Sequence, residues 1–464
     1  MDKERLLGIL DGYGDEMIKT LQQVIQIPSV ETEAEPGAPF GPELARALEF
    51  MVEAGRALGL TAKNVDGYAG HVEVGEGDDL IGVLVHLDVV PAGSDWTYPA
   101  FGGEIHDGEL YGRGTLDDKG PAVAALYGLK AIKESGIKLD KRIRLIFGTD
   151  EESGWLDLPY YFEREEKPRQ GFSPDAMFPI INAEKGSTTF KIGASFAPTS
   201  GARVVSFQSG ERTNIVPDRA TAVVAGVGEE AIQAALSGFS ALPGASVSFE
   251  AGERGIVITA KGVSAHGAMP EEGVNAAVEL ATFLAMLPLP VDQLQFVQFM
   301  RDRLRNQYNG QGLGIGLRDE ISGLLTANLG IVRWENDVAE LAINTRFPVS
   351  FVGEQVHAGA RQVVEAAGFT YTVISTGKPH HVAKDSPVVK VLQQVYQEET
   401  GQEPTAFAIG GGTYAKMMPE AVAFGPVFPG EPELAHQKDE HISLGNLMRC
   451  ARIYVLAMVG LANS

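Results

Sequence analysis

The chain has 464 residues, 44% hydrophobic and 21% charged, with a single cysteine, Cys450. At roughly 100–200 residues per domain, that length points to two or three globular domains, and a lone cysteine excludes a disulfide framework or a Cys-built zinc ribbon. Lys plus Arg number 38 against 61 Asp plus Glu, a net charge of −23; such a surface repels phosphate backbones and anionic lipid, so neither nucleic acid nor membrane is an expected partner.

The opening Met1-Asp2-Lys3-Glu4-Arg5 is charged and lacks the apolar segment and cleavage site of a signal peptide. The longest clean apolar run, Tyr454–Ala462, falls far short of the ~18 residues that span a bilayer. A soluble, cytoplasmic protein is expected. Helical periodicity covers Asp2–Ile27 and Pro42–Leu58. Strand-like runs follow at Thr61–Val74 and Asp79–Val85, the second nearly continuous in apolar residues, as suits a strand buried on both faces. A helix over Pro121–Ser135, stopped by Gly136, and a strand over Arg142–Phe147 complete an alternation typical of a layered α/β domain with a largely parallel sheet.

From Ser187 to about Lys378 the texture becomes α+β, with many strands and helices over Glu229–Leu236, Asn275–Leu287 and Phe351–Ala367. The α/β texture then returns with a helix over Pro387–Thr400, strands near Ala406–Ile409 and Ala421–Phe424, and a last helix over Leu444–Leu461. The expected fold class is therefore α/β in two domains: a catalytic domain formed by 1–186 and 383–464, interrupted by an inserted α+β domain over 187–382.

Chemistry-bearing residues gather where strands end. His86-Leu87-Asp88 closes the buried strand; residues i and i+2 share a face, so Asp88 can support a metal-binding His86, although a satisfied strand-end histidine has the same pattern. Gly112-Arg113-Gly114-Thr115-Leu116-Asp117-Asp118-Lys119-Gly120 precedes a helix, Gly148-Thr149-Asp150-Glu151-Glu152 ends another strand, and Asp175 and His436 stand in later loops. Each motif alone also fits a turn or an acidic surface loop. Together they fall at the carboxyl edge of an open α/β sheet, where sites form. Two imidazoles and three carboxylates, one of them bridging, suit two divalent ions of zinc type, with Glu151 left free as a general base. The reading is a di-metal hydrolase.

These segments, with Ser264-Ala265-His266-Gly267, occur in an order that resembles the co-catalytic zinc peptidases, the superfamily of aminoacylase, carboxypeptidase G and carnosinase, and within it the bacterial dipeptidases. Asp175-Ala176, Pro179-Ile180-Ile181-Asn182 and Gly410-Gly411-Gly412-Thr413-Tyr414-Ala415 extend the resemblance over essentially the whole chain. It implies two Zn2+ ions, with Co2+ or Mn2+ as substitutes. His86 and Asp175 would ligate one ion, Glu152 and His436 the other, and Asp117 would bridge them, often through a cis peptide to Asp118. Asp88 would orient His86, and Glu151 would be the acid/base. In the insert, His266 would stabilise the oxyanion, and Asn214, Arg346, Gly411 and Gly412 would contact substrate.

The remaining histidines, His71, His106, His357, His380, His381 and His441, read as structural or exposed. The resemblance further implies that the insert is a lid of two similar halves, so the protein is an expected monomer acting on small peptides. Hydrolysis of unblocked dipeptides is the expected activity, with β-alanyl or Xaa-His peptides among the candidates. The same motifs also fit a deacylase of N-acyl amino acids, and a binding protein on a degenerate scaffold would lack one of the seven site positions, all of which are filled here.

Overall fold

The computed structural model describes residues 3–464. The chain divides into two compact units, Met1–Asn182 with His381–Phe407 and Gly412–Ser464, and Ala183–His380 with Ala408–Gly411.

In the first unit the sheet runs in the order Thr61–Val65, Ala69–Val74, Arg142–Gly148, Leu80–His86, Gln170–Ser173, Glu420–Ala423 and Ile180–Glu184. The four strands from Arg142–Gly148 to Glu420–Ala423 are parallel to one another, and the flanking pairs are antiparallel. Parallel strands need both faces covered. Accordingly every residue of Leu80–His86 is buried, and helices Lys119–Ser135 and Leu444–Ala462 contribute Ala122, Leu126, Leu129, Tyr454, Val455 and Met458 to one core. Gly136 ends the first helix in the left-handed conformation, φ 67°, which a residue without Cβ adopts freely. Ser443 caps the second, its Oγ accepting from the Asn446 N–H at 3.0 Å.

Several sequence expectations need correction. The single helix over Asp2–Ile27 is two helices, Lys3–Asp11 and Gly14–Ile25, within the described residues. The run Thr61–Val74 is a hairpin, because Asp66 and Gly67 both take positive φ and reverse the chain. A second hairpin, Glu104–His106 with Glu109–Tyr111, turns at Asp107-Gly108 in a stretch with no expected element. The apolar run Tyr454–Ala462 lies in a longer helix, Leu444–Ala462, which also carries Asn446, Arg449 and Arg452 and is long and apolar enough, by length and composition alone, to cross a membrane. Most of it is buried in the core.

The second unit is an eight-stranded antiparallel sheet in the order Ser246–Gly252, Gly255–Lys261, Arg219–Ala225, Arg203–Ser209, Thr326–Glu335, Val338–Phe347, Gly186–Ser195 and Thr370–Gly377. Helices Glu229–Gly238, Ala276–Leu284, Val291–Leu304 and Gly353–Ala366 bury their apolar residues in its core. Helix Val291–Leu304 has no counterpart among the expected elements.

Candidate active site and metal centre

Because the central strands of the first unit are parallel, their carboxyl ends share one edge, and His86 stands in register with Gly148. The loop after Gly148 therefore emerges beside His86, and Asp175 lies just beyond strand Gln170–Ser173. This edge gathers the expected ligands. Asp117 presents one oxygen to each imidazole, with Oδ1 2.8 Å from His86 Nε2 and Oδ2 3.0 Å from His436 Nε2. Glu152 Oε1 lies 2.7 Å from His436 Nε2, and Asp175 Oδ1 lies 3.5 Å from His86 Nε2. The peptide between Asp117 and Asp118 is cis.

The loops are held by buried polar groups. His86 Nδ1 is 2.9 Å from the Asp88 carbonyl oxygen and 3.4 Å from its Oδ1, while Asp88 Oδ2 accepts from the Glu152 N–H at 2.8 Å. Asp157 Oδ2 accepts from the Thr149 N–H at 2.7 Å and from the Tyr414 hydroxyl. Asp150 accepts from the Gly154 and Leu156 N–H groups, both at 2.8 Å, and the Trp155 indole donates to the Glu151 carbonyl. Glu151 and Glu152 thus sit on a loop pinned from both ends. Lys119, fully buried, donates to the carbonyls of Val24 (3.1 Å) and Ile27 (2.8 Å), tying the Asp117 loop to the end of helix Gly14–Ile25.

The site is crowded with acids. Burial raises Asp175 to about 7, and burial together with the Asp175 charge raises Asp118 and Glu151 well above the carboxylate range. Burial alone would depress His436, but its hydrogen bonds to Asp117 and Glu152 carry it up to about 10. An acid cluster of this density, facing imidazole nitrogens, is the environment that a divalent cation relieves. His86, Asp117 and Glu152 place ligand atoms within 4.8 Å of one another, and so do His86, Asp118 and Asp175. Asp118 Oδ1 is buried without a hydrogen-bond partner. The donor set of imidazole nitrogens and carboxylate oxygens fits zinc-type ions, and the two-sided Asp117 fits a bridge between two of them.

In the second unit, His266 is exposed on the two-residue strand Ala265–His266, which pairs with Ile215–Val216. Asn214 accepts at its carbonyl from the Gly267 N–H at 2.7 Å, so Asn214 and His266 are neighbours. Arg346, opposite Thr326 in register, has its Nε buried without a hydrogen-bond partner. Gly410 lies against Ala268 and Arg346: a Cβ there would stand 2.8 Å from Ala268 Cβ and 3.7 Å from Arg346 Cγ. Gly411 belongs to this unit and Gly412 to the first.

The model of peptidase family M20/M25/M40 matches residues 82–459. A protein of Bacillus subtilis strain 168 named "Putative dipeptidase YtjP" is 44% identical over 455 residues, 97% of each chain. The chain belongs to peptidase family M20/M25/M40. It is thereby a hydrolase of the peptidase class. Human carnosine dipeptidase 1 has the same fold, with a TM-score of 0.61 at 16% identity over 100% of this chain and 99% of that one. The dipeptidase Dug1p of Saccharomyces cerevisiae matches with a TM-score of 0.61 at 12% identity, over 100% and 99% of the two chains.

In this M20 peptidase, sequence reasoning missed several residues around the site. Asp118, expected only as the cis-peptide partner of Asp117, accepts at its Oδ2 from the His86 N–H at 3.2 Å. The buried Asn328 donates to the carbonyls of Thr213 and Ile215, both at 2.9 Å, and so fixes the segment that carries Asn214. Asp157 with Tyr414, and Glu440, are the remaining ones. Adjacent aspartates could have flagged Asp118; nothing local flags the others, whose partners lie far away in sequence.

Proposed function

We propose that this M20 peptidase is a metal-dependent dipeptidase that hydrolyses unblocked dipeptides in the cytoplasm, as a monomer, with two Zn2+ ions. The observation that carries the reading is the two-sided contact of Asp117 with His86 and His436, flanked by Asp175, Glu152 and the free Glu151. The full-length similarity to a protein named as a dipeptidase supports the substrate class.

His86 and Asp175 would hold one ion, His436 and Glu152 the other, with Asp117 between them. Bound there, the ions supply Lewis-acid polarisation of the scissile carbonyl and of the attacking water. Glu151 takes the proton of that water and returns it to the leaving amine, as a carboxyl held well above the usual carboxylate range by burial and the Asp175 charge can do. Asp88 keeps His86 oriented. From the inserted unit, the His266 imidazole would donate to the developing oxyanion. The Arg346 guanidinium would take the substrate's carboxylate, with Asn214 and the backbone of Gly411 and Gly412 as further polar contacts.

The test is a paired assay on chelator-stripped protein with and without Zn2+, Co2+ or Mn2+. Free dipeptides, including β-alanyl-histidine, are compared with their N-acetylated forms. Metal-dependent cleavage of the free peptides alone is the expected result. Cleavage of only the acylated forms would replace the reading by a deacylase.

A further inference from the structure

Four residues beyond His436, Glu440 is fully buried and reaches back across the chain to the loop that carries Asp117. Its Oε1 accepts from the backbone N–H groups of Gly114 (3.0 Å), Leu116 (2.9 Å) and Asp117 itself (3.3 Å). Its Oε2 accepts from Arg113 Nη1 at 2.6 Å, and its own carbonyl accepts from the Gly112 N–H at 2.9 Å. Arg113 is equally buried, and the same Nη1 donates to the Gln437 carbonyl at 3.1 Å.

Every contact joins two segments: 112–117, which ends in the carboxylate between the imidazoles, and 436–440, which begins with one of those imidazoles. A carboxylate is required because only an ionised side chain accepts on both oxygens at once. Isolated burial of that charge would be expensive, and the Arg113 pairing together with three amide donors offsets the cost. The side chain touches neither imidazole in any contact found, so its influence runs through backbone geometry.

Resting on the proposal that Asp117 bridges two ions, we infer that Glu440 is a positioning residue that sets the Asp117–His436 spacing and thereby the affinity for metal. A glutamine at 440 keeps the shape but turns an NH2 group either toward Arg113 or toward the three loop amides, so one side loses its acceptor. Metal sites respond to loss of such supporting contacts by ~10–100-fold in affinity or activity.

The experiment titrates chelator-stripped protein with Co2+, followed by visible absorption, for the native chain, Glu440→Gln and His86→Ala, each with its urea unfolding midpoint. Glu440→Gln is expected to bind Co2+ ~10–100-fold more weakly while folded, and to lose kcat with KM little changed. Co2+ affinity within about twofold of the native chain would overturn the inference, even if the unfolding midpoint fell, since that is what a purely structural contact gives. If the native chain and His86→Ala bind Co2+ alike, the metal reading fails instead. Should Glu440→Gln not fold, Glu440→Asp is titrated with the same two outcomes; it keeps the charge but is one methylene too short to reach Arg113 and the loop amides together.

Discussion

Asp88 Oδ2 accepts a 2.8 Å hydrogen bond from the backbone N–H of Glu152, while the same residue's carbonyl oxygen stands 2.9 Å from His86 Nδ1. One buried aspartate thus sets the tautomer of one candidate ligand and the loop position of another. The Asp88→Asn substitution keeps the size but offers the Glu152 N–H a neutral acceptor or a clashing NH2. Turnover is expected to fall ~10–100-fold with diminished metal content, read by steady-state kinetics alongside metal analysis of the same sample.

Glu151 has a different part. It makes no contact with either imidazole comparable to those of Asp117 or Glu152, so removing it should spare metal binding. Glu151→Ala is expected to lose ~10²–10⁴-fold in kcat with bound metal unchanged. Near-native turnover in that variant would remove Glu151 as the acid/base.

Arg346 is half-buried, and its Nε is buried without a hydrogen-bond partner. Arg346→Lys keeps the charge and loses the planar fork. With charge-assisted hydrogen bonds contributing ~1.5–3 kcal/mol, KM for dipeptides with a free carboxylate is expected to rise ~10–100-fold. Dipeptide amides, which lack that carboxylate, should show little difference between the two enzymes. Equal losses on both substrates would place Arg346 away from the carboxylate.

Acid lability should have one identifiable source away from the site. His71 is buried, hydrogen bonded through Nδ1 to the Tyr161 hydroxyl at 2.8 Å. Burial, and after it the Arg144 charge, lowers its pKa to about 4, against ~6.5 in the unfolded chain. Above pH ~6.5 both states hold a neutral imidazole and the contribution is complete. As pH falls toward 4 only the unfolded chain gains the proton, so stability is lost across that window, by about 3 kcal/mol in all. His71→Asn, which keeps an acceptor near the Nδ1 position, should flatten this limb of the urea midpoint against pH. An unchanged limb would assign acid lability elsewhere.

Local pattern carried the sequence reading where structure is local. The nearly continuous apolar run Leu80–Val85 announced a buried central strand, and the acids after it and after Gly148 announced the edge where His86, Glu151 and Glu152 stand. Reading failed at turns hidden inside favourable periodicity: Asp66-Gly67 within Thr61–Val74, and Asp107-Gly108 in a stretch that offered only short strands. It failed again where a residue's meaning depends on a distant partner. Glu440 resembles any acid in a polar loop until Arg113 and the Asp117 amide are brought beside it, and Asp157 is unremarked until Tyr414 arrives from more than two hundred residues away. Asn328 is the same case, an apparently ordinary strand residue whose amide fixes the segment around Asn214.

Strand Glu420–Ala423 pairs in parallel with Gln170–Ser173, inside the sheet, and His436 and Glu440 follow it. Synthesis proceeds from the N-terminus, so a ribosome that has passed the inserted unit has released an incomplete sheet, lacking an inner strand and the helix Leu444–Ala462. Such a nascent chain already carries His86, Asp117, Glu152 and Asp175, but neither the second imidazole nor the carboxylate that braces the Asp117 loop. On the proposed reading, hydrolytic competence waits for the segment that follows strand Glu420–Ala423, and a chain stalled before it lacks part of the proposed catalytic edge.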